Sequence, residues 1–123
     1  MKVINTKAAP AAIGPYSQGF IVGNLIFTSG QIPLDPKTGE VSGDDIASQA
    51  ECSIANLKAI LEEAGSSLTK VIKTTCFLSD MGNFAAFNEV YAKHFTGKPA
   101  RSCVAVKTLP KNLLVEIEAI AEL

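Results

Sequence analysis

The sequence predicts an α+β fold: a mixed β-sheet with two helices packed on one of its faces. Three observations point there. β-rich runs are frequent, and two of them flank a Gly23-Asn24 pair as a hairpin would. Two stretches carry apolar residues in steps of three and four, the period of an amphipathic helix. The order is hairpin, helix, strand, helix, strand, strand, so one sheet shares only two helices. The strands flanking the first helix can then run parallel, and the last two read as an antiparallel pair.

The elements follow in order. Val3-Ile4 starts an edge strand, and Pro10 and Pro15 keep the chain out of a helix as far as Tyr16. Gly14 to Gly19 reads as a loop that delivers the Tyr16 hydroxyl to a fixed place. Phe20-Ile21-Val22 and Leu25 to Ser29 are the hairpin strands, with Leu25, Phe27 and Ser29 on one face. Gly30 follows, a residue that lets another group come close to the backbone. Pro33 to Gly43 is a connecting loop with turn chemistry at Asp35-Pro36-Lys37-Thr38-Gly39.

Asp44 or Asp45 caps the first helix, whose apolar stripe is Ile46, Ala50, Ile54, Leu57, Leu61 and Ala64, and Gly65 stops it. Gln49, Glu51, Lys58, Glu62 and Glu63 read as its solvated side. Lys70 to Ser79 is a strand with Ile72, Thr74, Cys76 and Leu78 on one face and Val71, Lys73, Thr75 and Phe77 on the other. A second helix runs from about Asn83 to Phe95 along Phe84, Phe87, Tyr91 and Phe95. Strands Ser102 to Lys107 and Leu113 to Ala121 close the chain. On the last, Val115, Ile117, Ala119 and Ala121 suit the helix layer. Leu114, Glu116, Glu118 and Ile120 face away. A sheet face carrying Leu114, Ile120 and Phe77 is too apolar to leave in water, which predicts a homo-oligomer.

With 123 residues, residues 1–123 make one domain, large enough to build a core without staples. Net charge is −1, and the isoelectric point is near 5.8. No basic field is available for nucleic acid or an anionic membrane surface. No apolar run reaches transmembrane length, and the first residues do not read as a signal peptide. Cys52, Cys76 and Cys103 are odd in number and widely spaced, which fits reduced thiols in the cytoplasm.

Chemistry-bearing templates are few. No glycine-rich nucleotide loop and no Cys/His cluster is present, so neither a nucleotide cofactor nor a metal is supported. His94 is the sole histidine, and in the last turn of a helix it reads as a dipole partner. Arg101 is the only arginine, against ten lysines. Its planar fork can hold a carboxylate with two parallel hydrogen bonds, which an ammonium cannot imitate. Taken alone, it reads about twice as readily as an ordinary surface ion pair. Asn88 reads as a structural amide or a site residue, and Cys103 more readily as a small buried hydrophobe. Together Arg101, Glu116, Tyr16, Ser29, Asn88 and the backbone at Gly30 and Cys103 form a polar set. Such a set can bind a small acid and hold a water against an electrophile that is already reactive.

Pro99-Ala100-Arg101-Ser102-Cys103-Val104 and Val115-Glu116-Ile117-Glu118 resemble the signature of the RidA (YjgF/YER057c/UK114) family. So do Ala11 to Gln18, Thr28 to Pro33 and Val71 to Thr75, so the resemblance runs the length of the chain. It implies a chorismate-mutase-like α+β fold and a homotrimer with sites in the clefts between subunits. The implied activity is hydrolysis of 2-imino acids, tautomers of enamines such as 2-aminoacrylate, to 2-keto acids and ammonia, without a cofactor. By the same resemblance, that activity would protect pyridoxal-phosphate enzymes. By position, Arg101 would clamp the substrate carboxylate, and Gly30 and Cys103 would help orient it. Glu116 would activate water. Tyr16, Ser29 and Asn88 would line the pocket. The link from Phe95 to Pro99 is shorter than in some relatives, which leaves substrate preference open. Two other readings stand beside this one: a trimer that senses a small carboxylate, and a ribonuclease or translation inhibitor, which the acidic isoelectric point disfavours.

Overall fold

In a computed structural model, which describes all of Met1–Leu123, six strands form one sheet in the order β1-β2-β3-β6-β4-β5. They are β1 (Lys2–Ile4), β2 (Gly19–Val22), β3 (Leu25–Thr28), β4 (Val71–Leu78), β5 (Ala100–Ala105) and β6 (Val115–Glu122). Two helices, α1 (Ile46–Glu63) and α2 (Phe84–His94), complete the fold. The α+β expectation, with two helices on a mixed sheet, is met.

α1 begins where expected. Asp45 caps it, its carboxylate accepting a hydrogen bond from the Ser48 amide at 2.7 Å. Gly65, at φ +87°, ends it in a conformation that a side chain would resist. Ile54, Leu57, Ile60 and Leu61 of α1 meet Phe87 and Val90 of α2 and Val115, Ile117, Ala119 and Ala121 of β6 in a single core. Each fully buried Leu, Ile or Phe there contributes about 1.5–3 kcal/mol over its exposed state. Helix α2 is pinned to the sheet inside that core by a 2.7 Å hydrogen bond between the Tyr91 and Thr74 hydroxyls.

Three local expectations are corrected. The last two strands do not pair. β4 lies between them, antiparallel to β6 and parallel to β5, so the parallel pair is joined by a crossover through the second helix. Ile72 does not share a face with Thr74. A bulge between Val71 and Lys73 resets the alternation, burying Val71 and leaving Ile72 42 % exposed. Gln49 is not solvated. It is buried, its Oε1 accepting from the Leu114 amide at 2.8 Å and its Nε2 donating to the Gly43 carbonyl at 3.2 Å. Asn56, also buried on α1, donates to the carbonyls of Ile32 and Leu34. Two amides on one helix thus hold the 32–43 loop where it borders the cleft described next.

Candidate active site

The first cleft opens beside the junction of β3 and β6. Their ladder runs from Leu25↔Glu122 to Phe27↔Ile120 and resumes at a Gln31↔Ile117 bridge. One extra residue is accommodated in between. There the Thr28 hydroxyl replaces a backbone acceptor, taking the Ala119 amide at 3.0 Å. Ser29 and Gly30 therefore pass over the Glu116 side chain. A Cβ on Gly30 would stand 2.8 Å from Glu116 Cδ and 3.0 Å from its Cγ, closer than atoms can pack, and nearer still to Oε2. The group that Gly30 admits is thus Glu116. Ser29 donates its hydroxyl to the Ser17 carbonyl at 2.5 Å, which ties the loop carrying Tyr16 to the same place.

Tyr16, Ser29, Gly30 and Glu116 line this cleft of 910 Å³, together with Lys111 and Glu118. Burial raises the Glu116 carboxyl above the ordinary carboxylate range, and the neighbouring Glu118 charge raises it further. A carboxylate so placed is a stronger base than one in water.

Arg101 lies elsewhere. Its Nη1 donates to Asn88 Oδ1 at 2.7 Å, and its guanidinium sits 4.7 Å from the Tyr91 ring centre and 5.5 Å from that of Phe84. All three partners belong to α2, so one helix positions the guanidinium by one hydrogen bond and two aromatic faces. No carboxylate neutralises it: the only salt bridge in the chain joins His94 to Glu51, between the two helices. The internal ion pair that Arg101 could have made is absent, and the other edge of the fork remains free for a ligand. Arg101 and Asn88 line a second cleft of 500 Å³ with Tyr91, Phe95, Lys98 and Pro99. Cys103 follows on the same face of β5, half-buried against the core, and lines neither cleft. Burial raises its thiol.

The two clefts lie on different sides of the sheet. Arg101 is registered with Thr74, whose side chain points into the helix layer. Glu116 is registered with Phe77, on the uncovered face. The seven predicted site residues therefore fall into one group of four and one of two, with Cys103 apart. Glu118, Lys111, Tyr91, Phe84 and Lys98 were not singled out from the sequence. Glu118 was the legible one, two residues from Glu116 on a strand. The others depend on how loops and helix pack.

The family described as Endoribonuclease L-PSP matches residues 6–123. The chain belongs to it. The family that includes RidA and YjgF is thus the one its motifs resembled. The chain is 54 % identical over 124 residues to the 2-iminobutanoate/2-iminopropanoate deaminase of Escherichia coli K12, covering 98 % of this chain and 96 % of that protein. A Lactococcus lactis protein that carries a regulator's name, AldR, is 56 % identical over 123 residues, 99 % of this chain and 98 % of its own. The crystal structure of Escherichia coli TdcF with bound serine superposes with a TM-score of 0.95 at 49 % identity, over 100 % of this chain and 99 % of that one.

Proposed function

We propose that this L-PSP family member hydrolyses 2-imino acids to 2-keto acids and ammonia, in a site completed between two copies of the chain. The observation that carries the reading is the pairing of an unneutralised guanidinium on Arg101 with a carboxylate of raised basicity on Glu116, on opposite faces of one sheet. A single chain cannot present both to one small molecule, whereas a neighbour docked against β5 can. The deaminase name of a relative 54 % identical supports the substrate class, and the serine bound to TdcF supports a small amino-acid-like ligand.

The uncovered face supports an assembly as well. Phe27 is 43 % and Val104 47 % exposed there, beside Phe20 and Phe77. Burying them between copies removes apolar area from water at about 25 cal/mol per Å². Leu114, expected on this face, precedes the strand and packs against the core instead. The proposed assembly is the homotrimer that the family resemblance implied, working in the cytoplasm without a cofactor.

In the reaction, Arg101 holds the substrate carboxylate through its free edge while Asn88 holds the other. Gly30 and the Cys103 backbone fix the substrate's orientation, and Tyr16 and Ser29 line the opposite wall. Glu116 accepts a proton from water as the oxygen bonds to the C=N carbon, whose π electrons move to nitrogen. With the imine nitrogen entering protonated, this addition gives a neutral carbinolamine. Glu116 returns its proton to the amine, and the C–N bond breaks as the oxygen lone pair forms C=O. The hydroxyl proton passes to the regenerated Glu116 carboxylate and on to the departing ammonia, which leaves as ammonium. A positioned acid/base contributes ~10²–10⁴-fold, adequate for an imine that also hydrolyses in water. Removing such imines would protect the pyridoxal-phosphate enzymes that release their enamine tautomers.

The test is direct. A dehydratase generates 2-aminoacrylate or its four-carbon homologue, and keto-acid formation is followed with and without the protein. Acceleration that is lost in Arg101→Ala supports the reading. Binding of keto acids without acceleration would replace it with a carboxylate sensor.

A further inference from the structure

The turn between α2 and β5 places a second cation in the Arg101 cleft, and nothing in the proposed reaction uses it. Lys98 lines that cleft together with Arg101, Asn88, Tyr91, Phe95 and Thr96. Its backbone is left-handed, at φ +52°, although it carries a full side chain and precedes Pro99. Either circumstance disfavours that conformation. No carboxylate pairs with Lys98, and none lines the cleft, so its charged lining consists of two cations alone. Three residues separate the two backbones by at most about 10 Å, within the combined reach of a lysine and an arginine side chain.

We infer that Lys98 is a specificity-determining residue that recognises a second carboxylate, so that the cleft takes 2-imino dicarboxylates such as 2-iminosuccinate. This rests on the imine-hydrolase reading. With the α-carboxylate on Arg101 and the C=N carbon directed at Glu116 of another copy, the variable part of the substrate is its side chain. A second cation in the lining of a 500 Å³ cleft complements a side chain that ends in an anion. The neutral wall of Tyr91 and Phe95 accommodates the methylenes between. The reaction balances as before: 2-iminosuccinate and water give oxaloacetate and ammonia.

The experiment compares two substrates made in place by amino-acid oxidases with catalase present: 2-iminosuccinate from aspartate and 2-iminopropanoate from alanine. Oxaloacetate and pyruvate are read by NADH-coupled reduction. Three proteins are used: wild type, Lys98→Arg and Lys98→Asn, the last because asparagine tolerates the left-handed backbone. The quantity read is the ratio of kcat/KM for the dicarboxylate to that for the monocarboxylate. We expect wild type to accelerate both, the ratio to fall roughly tenfold in Lys98→Asn, the value of one lost charged hydrogen bond, and to hold in Lys98→Arg. Acceleration of 2-iminopropanoate with none for 2-iminosuccinate, or an unchanged ratio in Lys98→Asn, overturns the inference and leaves the hydrolase reading standing. Acceleration of neither substrate overturns both.

Discussion

Gly30 and Glu116 occupy mutually exclusive space: a Cβ on residue 30 would come within 2.8 Å of the Glu116 carboxyl carbon. The glycine is required for room, since its φ is not among the positive values. In Gly30→Ala the flexible glutamate swings away from the cleft instead of the backbone yielding. The expected result is a loss of ~10²-fold in kcat, the lower end for a displaced acid/base. Thermal melting should change little. A large drop in melting temperature with kcat retained would mean the backbone moved and Glu116 stayed.

Arg101→Lys keeps the charge and loses the fork. It also gives up the hydrogen bond to Asn88 and the stacking on Tyr91 and Phe84. KM for an imino acid should rise about tenfold or more, since charge-assisted bonds contribute about 1.5–3 kcal/mol each. Steady-state kinetics beside Arg101→Ala separates charge from geometry. Equal KM for wild type and Arg101→Lys would show that a point charge is sufficient.

The pH dependence follows from Glu116. Its carboxyl titrates above the ordinary range because of burial first and Glu118 second. The active form is the carboxylate, so kcat/KM should fall as pH drops through that raised value. Glu118→Gln removes the like charge and should move the acid limb to lower pH. Stability runs the other way. A carboxyl whose folded pKa is raised stabilises the fold fully below its unfolded pKa, and that contribution is lost as pH rises through the folded value. Glu116→Gln should therefore melt higher than wild type at neutral pH. Identical acid limbs in wild type and Glu118→Gln would contradict the assignment of Glu116 as the base.

Gln49 holds the cleft loop from below. Gln49→Ala leaves the Leu114 amide and the Gly43 carbonyl without their partner. An unsatisfied buried group costs about 1–3 kcal/mol, so the melting temperature should fall by roughly 5–10 °C. A shift within experimental error would show that water replaces the amide.

What the sequence revealed, and what it did not, divides along physical lines. The hairpin at Gly23-Asn24, both helices and the alternation of β6 were legible, because each is written in local periodicity and turn chemistry. Arg101 and Glu116 stood out by residue type and by motif. Gln49 and Ile72 were misplaced because a polar side chain buried by a distant loop, and a one-residue bulge, leave no local signal. Strand order was hidden for the same reason: β6 inserts between β3 and β4 after every other element is complete. The separation of Arg101 from Glu116 follows from that insertion and from the parallel register of β5, neither of which a linear pattern records.

Mixing two inactive variants tests the shared site most directly. Arg101→Ala and Glu116→Gln are unfolded and refolded together, and imino-acid hydrolysis is compared with each variant alone. In a ring of three identical, head-to-tail interfaces, random assembly rebuilds an intact site at about a quarter of the interfaces. Recovery of about that fraction of wild-type activity is the predicted result. No recovery from a mixture shown to contain mixed oligomers would place both groups in one chain's site and contradict the account.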